Sequence, residues 1–379
     1  MPDFLFYGET ERSAAMRHEL PVAIIDPFLL GIVGGRLHVM ASPLETDRIA
    51  AAAADAVVHD LTTLGLDELF ESGVNGHRLD LELASRAAAA MGVRRAVVDP
   101  DMPVSVADRL RADGVVLDHD PDAVAARRRA KSPAELEGIR RAQAAAEAGT
   151  RAAAALLRRA EPEGDRLLLD GEPLTAEAVR AALRDACRDH GGPAPPDVLV
   201  TSVWQGTGHD PGAGPLPARL PIQVDLWPCD EASGCWADMT RTFVVGGADE
   251  TTRGRAALVR QALEAVRAAV RPGVLGRELH DVACDVFEAA GHRTQRTGPD
   301  EDEPDVGFQF SLGHGVGLRV HEDPALGRGG GSALVAGDVI AVEPGVWSPD
   351  IGEVRFEDLL LVTGDGCETL TDYRYDLEP

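Results

Sequence analysis

The sequence predicts an α+β chain of two domains, a smaller N-terminal α/β domain and a larger C-terminal domain of alternating helix and strand groups. Three observations carry this. The chain has 379 residues, about right for two domains at roughly 100–200 residues each. Its first third alternates short apolar runs with alanine-rich stretches, the pattern of a small α/β domain. A capping box, Ser132-Pro-Ala-Glu135, follows the basic run Arg127–Lys131; with proline at the first helical position it starts a strong helix and sets the boundary near residue 130. The domains are therefore expected at 1–130 and 131–379.

In the first domain, Val22–Asp26 and Leu37–Ala41 read as strands, with Gly34-Gly35 between them as a hairpin turn. Thr46–Val58 reads as a helix, and Arg95–Asp99 and Gly114–Asp118 as two further strands. In the second domain a long helix runs from Leu136 to about Ala160, and Thr175 to about His190 forms another, closed by Gly191-Gly192. Val198–Trp204 is a strand, Leu220–Leu226 and Cys235–Val245 read as paired strands, and helices are expected over about 250–270 and 276–290. Asp338–Glu343 and Val354–Val362 close the chain as strands.

Composition bounds the function. The formal net charge is −26, so nucleic acid and anionic membrane surfaces are disfavoured as partners. Lys131 is the only lysine, which excludes chemistry built on a lysine elsewhere, such as a Schiff base. The five cysteines are an odd count without paired spacing, which argues against a disulfide framework. Cys229 and Cys235 lack the second pair that a zinc site would need. The start of the chain has no basic region leading into an apolar run, and no stretch reaches about 18 apolar residues. A cytoplasmic protein is expected.

Asp is depleted in strand interiors, and buried charge is costly unless paired or metal-bound. Yet Asp225 sits in Ile222-Gln-Val-Asp-Leu, Asp238 in Trp236-Ala-Asp-Met-Thr-Arg, Glu343 ends Val339-Ile-Ala-Val-Glu, and Glu357 sits in Val354-Arg-Phe-Glu-Asp-Leu. Solvent faces or strand ends would explain any one of them. Salt bridges from Arg241 and Arg355 to Asp238 and Glu357 are a second alternative. A shared cation explains all four. His314, in Ser311-Leu-Gly-His-Gly-Val-Gly, has glycines on both sides that leave its imidazole room to approach a ligand. One imidazole with four carboxylates suits Mn²⁺, Fe²⁺, Co²⁺ or Zn²⁺. Five ligands, several able to bridge, fit two metals about 3.5–4 Å apart.

These residues resemble a family. Asp225, Ala237–Phe243, Gly313–Leu318, Val320–Pro324, Val342–Gly345 and Arg355–Asp358 come in the order and approximate spacing of the pita-bread metallopeptidases, the group of aminopeptidase P, prolidase, methionine aminopeptidase and the metal-free creatinase. Lys131–Arg140 resembles the opening of that family's catalytic domain. The likeness covers residues 131 to about 365; the first 130 residues resemble the creatinase/prolidase N-terminal domain in length and in their strand–helix pattern. The turn between Asp225 and Asp238 is slightly longer than the family usually shows, and the stretch Trp204–Pro217 is unusually rich in Gly and Pro.

The resemblance implies a C-terminal pita-bread fold and an Xaa-Pro dipeptidase or Xaa-Pro aminopeptidase, acting on short proline-containing peptides as a homodimer. Asp225 would chelate one metal, Asp238 would bridge both, His314 and Glu343 would bind the other, and Glu357 would bridge again. Manganese heads the candidate metals, with cobalt, zinc and iron as alternatives. A bridging water would be the nucleophile, Glu343 would shuttle its proton, and His321 would stabilise the tetrahedral intermediate or hold the substrate. His209 would be the substrate-side histidine, and Arg355 would orient Glu357. A creatinase-like hydrolase of a non-peptide C–N bond and a non-catalytic binding protein are the alternatives; their relatives have lost ligands that this chain retains.

Overall fold

The computed structural model describes residues 2–205 and 208–379. Gly206 and Thr207, within the Gly- and Pro-rich stretch ahead of His209, lie outside the described residues. Two compact units divide the chain between Arg128 and Arg129.

The first unit is built on a six-stranded sheet. Its strands are β1 (Phe4–Gly8), β2 (Phe28–Val33), β3 (Arg36–Ala41), β4 (Val57–Asp60), β5 (Arg95–Val98) and β6 (Val116–His119), in the order β4-β3-β2-β1-β5-β6. β1–β2 and β2–β3 pair antiparallel, and β3–β4, β1–β5 and β5–β6 pair parallel. Helices α1 (Ala14–Glu19), α2 (Thr46–Ala52), α3 (Leu66–Glu71), α4 (His77–Met91), α5 (Val104–Ala112) and α6 (Pro121–Arg127) complete it. Leu5, Leu29, Leu30, Val39, Ala87 and Leu110 are fully enclosed in its core. Gly34 and Gly35, both at positive φ (58° and 80°), make the β2–β3 turn, as a two-residue hairpin matched to strand twist requires.

Two expectations fail here for local reasons. Val22–Asp26 is not a strand. It lies between Pro21 and Pro27, neither of which can donate to a ladder, and Thr10 pins it irregularly: the hydroxyl donates to the Val22 carbonyl and accepts from the Ile24 N–H at 2.7 Å. The expected helix over Thr46–Val58 stops at Ala52; its last two residues, β-branched Val57 and Val58, start β4 beside β3. The hydrophobic β1, which becomes an interior strand, was not anticipated.

In the second unit the Ser132–Glu135 capping box is formed in both directions, Glu135 N–H to Ser132 Oγ at 3.2 Å and Ser132 N–H to Glu135 Oε2 at 2.7 Å. It opens α7 (Pro133–Arg159). A small sheet of β7 (Glu161–Glu163), β8 (Arg166–Leu169) and β9 (Glu172–Pro173) leads to α8 (Ala176–Asp189), and β10 (Leu199–Thr201), β11 (Ile222–Leu226) and β12 (Met239–Phe243) form an antiparallel sheet. α9 (Glu250–Ala269) and α10 (Gly276–Ala289) follow. Then come β13 (Gly313–Gly315), β14 (Glu322–Leu326), β15 (Val339–Val342), the hairpin β16 (Gly345–Ser348) and β17 (Gly352–Arg355), β18 (Asp358–Val362) and β19 (Cys367–Thr369). The second large sheet has the order β14-β13-β15-β18-β19. One core joins α7 and α8 to β10–β12, and another joins α9 and α10 to the later strands.

Val354–Val362, read as one strand, is two. β17 pairs with β16, β18 pairs with β15 and β19, and Phe356-Glu357 is the break between them. Asp238 likewise stands just before β12 and Glu343 just after β15, so only Asp225 lies inside a strand. The chain thus carries three of these four carboxylates to places where a strand begins or ends.

Candidate metal centre

β11 presents Asp225 directly opposite Thr240 of β12, and cross-strand partners share a face. Asp238, one residue before β12, accepts a hydrogen bond from the Met239 N–H at 3.1 Å. His314, the middle residue of β13, lies opposite Ala341 of β15. The glycines beside it serve the sheet and not the imidazole: a Cβ on Gly313 would stand 2.0 Å from the Ala341 carbonyl oxygen, and one on Gly315 2.2 Å from that of Asp323. Their role differs from the one expected from the sequence.

These elements bring Asp225, Asp238, His314, Glu343 and Glu357 together. Ligand atoms of Asp225, Asp238 and Glu357 lie within 4.8 Å of one another, as do those of His314, Glu343 and Glu357. Glu357 belongs to both groups. A third group joins Asp238 and His314 to His321, whose ring stands edge-on to His314 with centroids 4.2 Å apart. A cavity of about 890 Å³ opens over the cluster; His209, Phe310, His321 and Trp347 are among its walls. His209 is exposed and close enough for its charge to act on His321 and Glu343.

The polar partners show what the cluster lacks. Glu357 is 1% exposed. Its Oε2 accepts the Thr240 hydroxyl at 2.7 Å, while its Oε1 has no partner. The His314 Nδ1–H donates to the Gly315 carbonyl at 3.1 Å, which leaves the Nε2 lone pair facing Asp238 Oδ2 at 3.6 Å and Glu343 Oε1 at 3.7 Å. Burial lowers the pKa of His314, which favours the neutral ring and sets its Nε2 acceptor against two carboxyl groups. Arg355 is the cation in contact with the cluster. It meets Glu343 Oε2 at 2.9 Å, Asp225 Oδ2 at 3.6 Å and Glu353 Oε1 at 2.9 Å, and its guanidinium lies 4.6 Å from the Phe310 ring centroid.

One guanidinium does not balance this much carboxylate. Burial, opposed by Arg355 and reinforced by Glu343, pushes Asp225 up to about 7. Burial first, and then neighbouring carboxylates, raise Asp238 and Glu357 well above the usual range; burial also raises Glu343. A crowd of oxygen donors that cannot all ionise alone, with one imidazole lone pair and one orphaned carboxylate oxygen, is the donor chemistry of a divalent-cation site. The residues present fit such a group.

The Arg355–Glu357 pairing that the resemblance implies, and the Arg241–Asp238 salt bridge weighed as an alternative to a cation, are not formed. Arg355 orients Glu343 and Asp225; the side-chain partner of Glu357 is Thr240. Arg241 does not pair with Asp238; it is buried against Asp358 at 2.9 Å. Sequence reasoning also passed over Thr240, Glu353 and Asp358. Their only signal was a polar residue beside an already anomalous carboxylate.

The profile of metallopeptidase family M24 matches residues 137–364. The chain belongs to that family. The Xaa-Pro dipeptidase of Pyrococcus furiosus is 35% identical over 141 residues, a stretch that spans 37% of this chain and 37% of that protein. The prolidase of Pyrococcus horikoshii superposes with a TM-score of 0.74 at 20% identity, covering 100% of this chain and 95% of the other. An X-Pro aminopeptidase from Thermotoga maritima gives a TM-score of 0.77 at 19% identity over 99% and 97%. The fold of this M24 chain is accordingly the pita-bread fold.

Proposed function

We propose that this protein hydrolyses the peptide bond preceding proline in dipeptides or short peptides, with two divalent cations held by Asp225, Asp238, His314, Glu343 and Glu357. The observation that carries the reading is the His314 Nε2 facing Asp238 Oδ2 at 3.6 Å and Glu343 Oε1 at 3.7 Å beside the orphaned Glu357 Oε1. The relatives, an Xaa-Pro dipeptidase and an X-Pro aminopeptidase, support the choice of bond. Asp225 and His314 belong to different ligand groups while Glu357 belongs to both, which supports Glu357 as a bridging ligand. We assign Asp238, next to His314, the second bridge.

The chemistry supplied by such cations, when bound, is Lewis acidity towards the scissile carbonyl and acidification of a nucleophilic water. Glu343 opens onto the cavity and is fixed through one oxygen by Arg355. Beyond holding a cation, Glu343 would take the proton of the attacking water and deliver it to the departing proline nitrogen. His321 is kept neutral, its pKa lowered to about 4 by burial and by His314 and then His209. It donates a ring N–H to the oxygen that gains charge as the carbonyl becomes tetrahedral. His209, also on the cavity wall, is the substrate-side histidine, and Phe310 and Trp347 supply apolar surface for the proline ring.

Catalysis is assigned to residues 131–379, with residues 1–130 as a separate N-terminal domain. Manganese is the metal of choice for so oxygen-rich a set. Five free cysteines support a reducing, cytoplasmic setting, and a homodimer follows from the resemblance. The test is a panel of X-Pro dipeptides and X-Pro-Y peptides offered to metal-stripped protein reloaded with Mn²⁺, Co²⁺ or Zn²⁺. Metal-dependent release of X is expected. Turnover unaffected by stripping, or none with any peptide and any metal, contradicts the reading.

A further inference from the structure

Arg241 is the largest fully buried side chain among the described residues, and it lies behind the candidate metal centre, outside the ligand set. A guanidinium has five N–H donors, and here each has an acceptor. Nη1 donates to the carbonyls of Glu357 at 2.6 Å and Thr240 at 2.9 Å. Nη2 donates to Asp358 Oδ1 at 2.9 Å and the Tyr373 carbonyl at 3.0 Å. Nε donates to the Arg374 carbonyl at 3.0 Å. The Tyr375 ring centroid lies 4.8 Å from the guanidinium carbon, and the Tyr375 hydroxyl donates to the other Asp358 oxygen. The segment is held further along by the Val244 N–H, which donates to the Leu377 carbonyl at 2.7 Å.

Glu357 sits where this network meets the site. Its N–H donates to the Thr240 carbonyl at 3.1 Å, its carbonyl accepts from Arg241, and its Oε2 accepts from Thr240. Every polar atom of the residue is tied except Oε1. Because Glu357 lies at the break between β17 and β18, neither strand's ladder fixes its backbone. Arg241 and the strap Tyr373–Tyr375 take the place of that ladder.

We infer that Arg241, clamped by the Tyr373–Tyr375 strap and Asp358, is a positioning residue that fixes the backbone of Glu357 and so aims its free oxygen at both cation positions. This rests on the metal reading proposed above. A clamp of this kind acts on cation affinity and not only on folding. Groups that orient a metal ligand from behind are typically worth about 10–100-fold in affinity.

The experiment compares wild type, Arg241→Lys, Tyr375→Phe and Leu183→Ala by calorimetric titration of metal-stripped protein with Mn²⁺, well below each melting temperature. The d–d spectrum of the Co²⁺ forms is recorded alongside. Lysine keeps the charge but cannot fill five donor directions. Leu183 is buried in α8 away from the clamp and stands for destabilisation alone. The expected result is two equivalents in wild type, at least about tenfold weaker binding of both in Arg241→Lys, an intermediate loss in Tyr375→Phe, altered Co²⁺ spectra in both, and wild-type affinity in Leu183→Ala. If Arg241→Lys does not fold, Tyr375→Phe, which removes one hydroxyl, decides alone. Wild-type affinity in the folded clamp variants, or equal weakening in Leu183→Ala, overturns the clamp while leaving the metal reading intact. A wild type that binds no Mn²⁺ or Co²⁺ overturns both.

Discussion

Replacing Asp225 by asparagine keeps the shape of the side chain and removes its charge. In the metal-free protein the carboxyl is driven from 3.8 to about 7, with burial the largest cause and Arg355 the main opposing one. At about 1.4 kcal/mol per pH unit, the charged form is disfavoured by about 4 kcal/mol above pH 7. That is an upper bound, because Asp225 shares its titration with Glu343 and Glu357. At pH 8 the metal-free Asp225→Asn protein should therefore be more stable than metal-free wild type. A gain of even half the bound is about 4–8 °C for a unit of this size. Adding Mn²⁺ should reverse the ranking. Wild type gains about 2.7 kcal/mol at a hundred times its Kd, the variant gains little, and its peptidase activity falls by at least about 100-fold. Differential scanning calorimetry at pH 8, with and without Mn²⁺, reads both halves. A metal-free variant less stable than wild type refutes the reasoning, for Arg355 would then balance Asp225 unaided.

Metal uptake should also release protons. Carboxyls with raised pKa values hold protons in the folded metal-free site that the unfolded chain, at about 3.9, has already lost. The contribution of these carboxyls to metal-free stability is therefore fully present below about pH 4 and is lost as the pH rises through about 7. At pH 6.5 Mn²⁺ should displace at least about one proton per chain, measured from the buffer dependence of the binding enthalpy; buffer-independent heats would contradict the raised values. His321→Ala should lower kcat by about 100–1000-fold with metal content and KM little changed, and a variant that instead lost metal would make His321 a ligand. Lys131, the sole lysine, forms a buried ion pair with Glu322 beside His321. Lys131→Met should cost about 3–5 kcal/mol without changing the number of metals bound, and an unchanged melting temperature would mean the pair is neutral in the fold.

Much of the site was legible because it violates local rules. A charged residue in the apolar alternation of β11 had to have a partner, and several such residues had to share one. Where each carboxylate sits was not legible. Val354–Val362 reads as one strand, and no proline or glycine in it marks Phe356-Glu357 as the place where the chain leaves one sheet for another. Arg241 and Arg355 were equally plausible partners for nearby carboxylates, since sequence proximity cannot say which way a side chain points. The acceptors of Arg241 near Tyr373 lie over 130 positions away, beyond any local pattern. In the first unit the errors are backbone ones. Val22–Asp26 has the composition of a strand but a proline at each end, and Thr46–Val58 has alanines that favour helix up to the point where two valines find a strand to pair with.

The most direct test is the count of divalent ions in the intact chain, by plasma emission spectrometry on chelator-stripped protein dialysed against Mn²⁺. The account predicts two ions per chain in wild type, fewer in Asp238→Ala at unchanged far-UV circular dichroism, and peptidase activity that tracks occupancy. Wild type that carries no metal while cleaving X-Pro peptides, or Asp238→Ala with full occupancy and normal turnover, would contradict it.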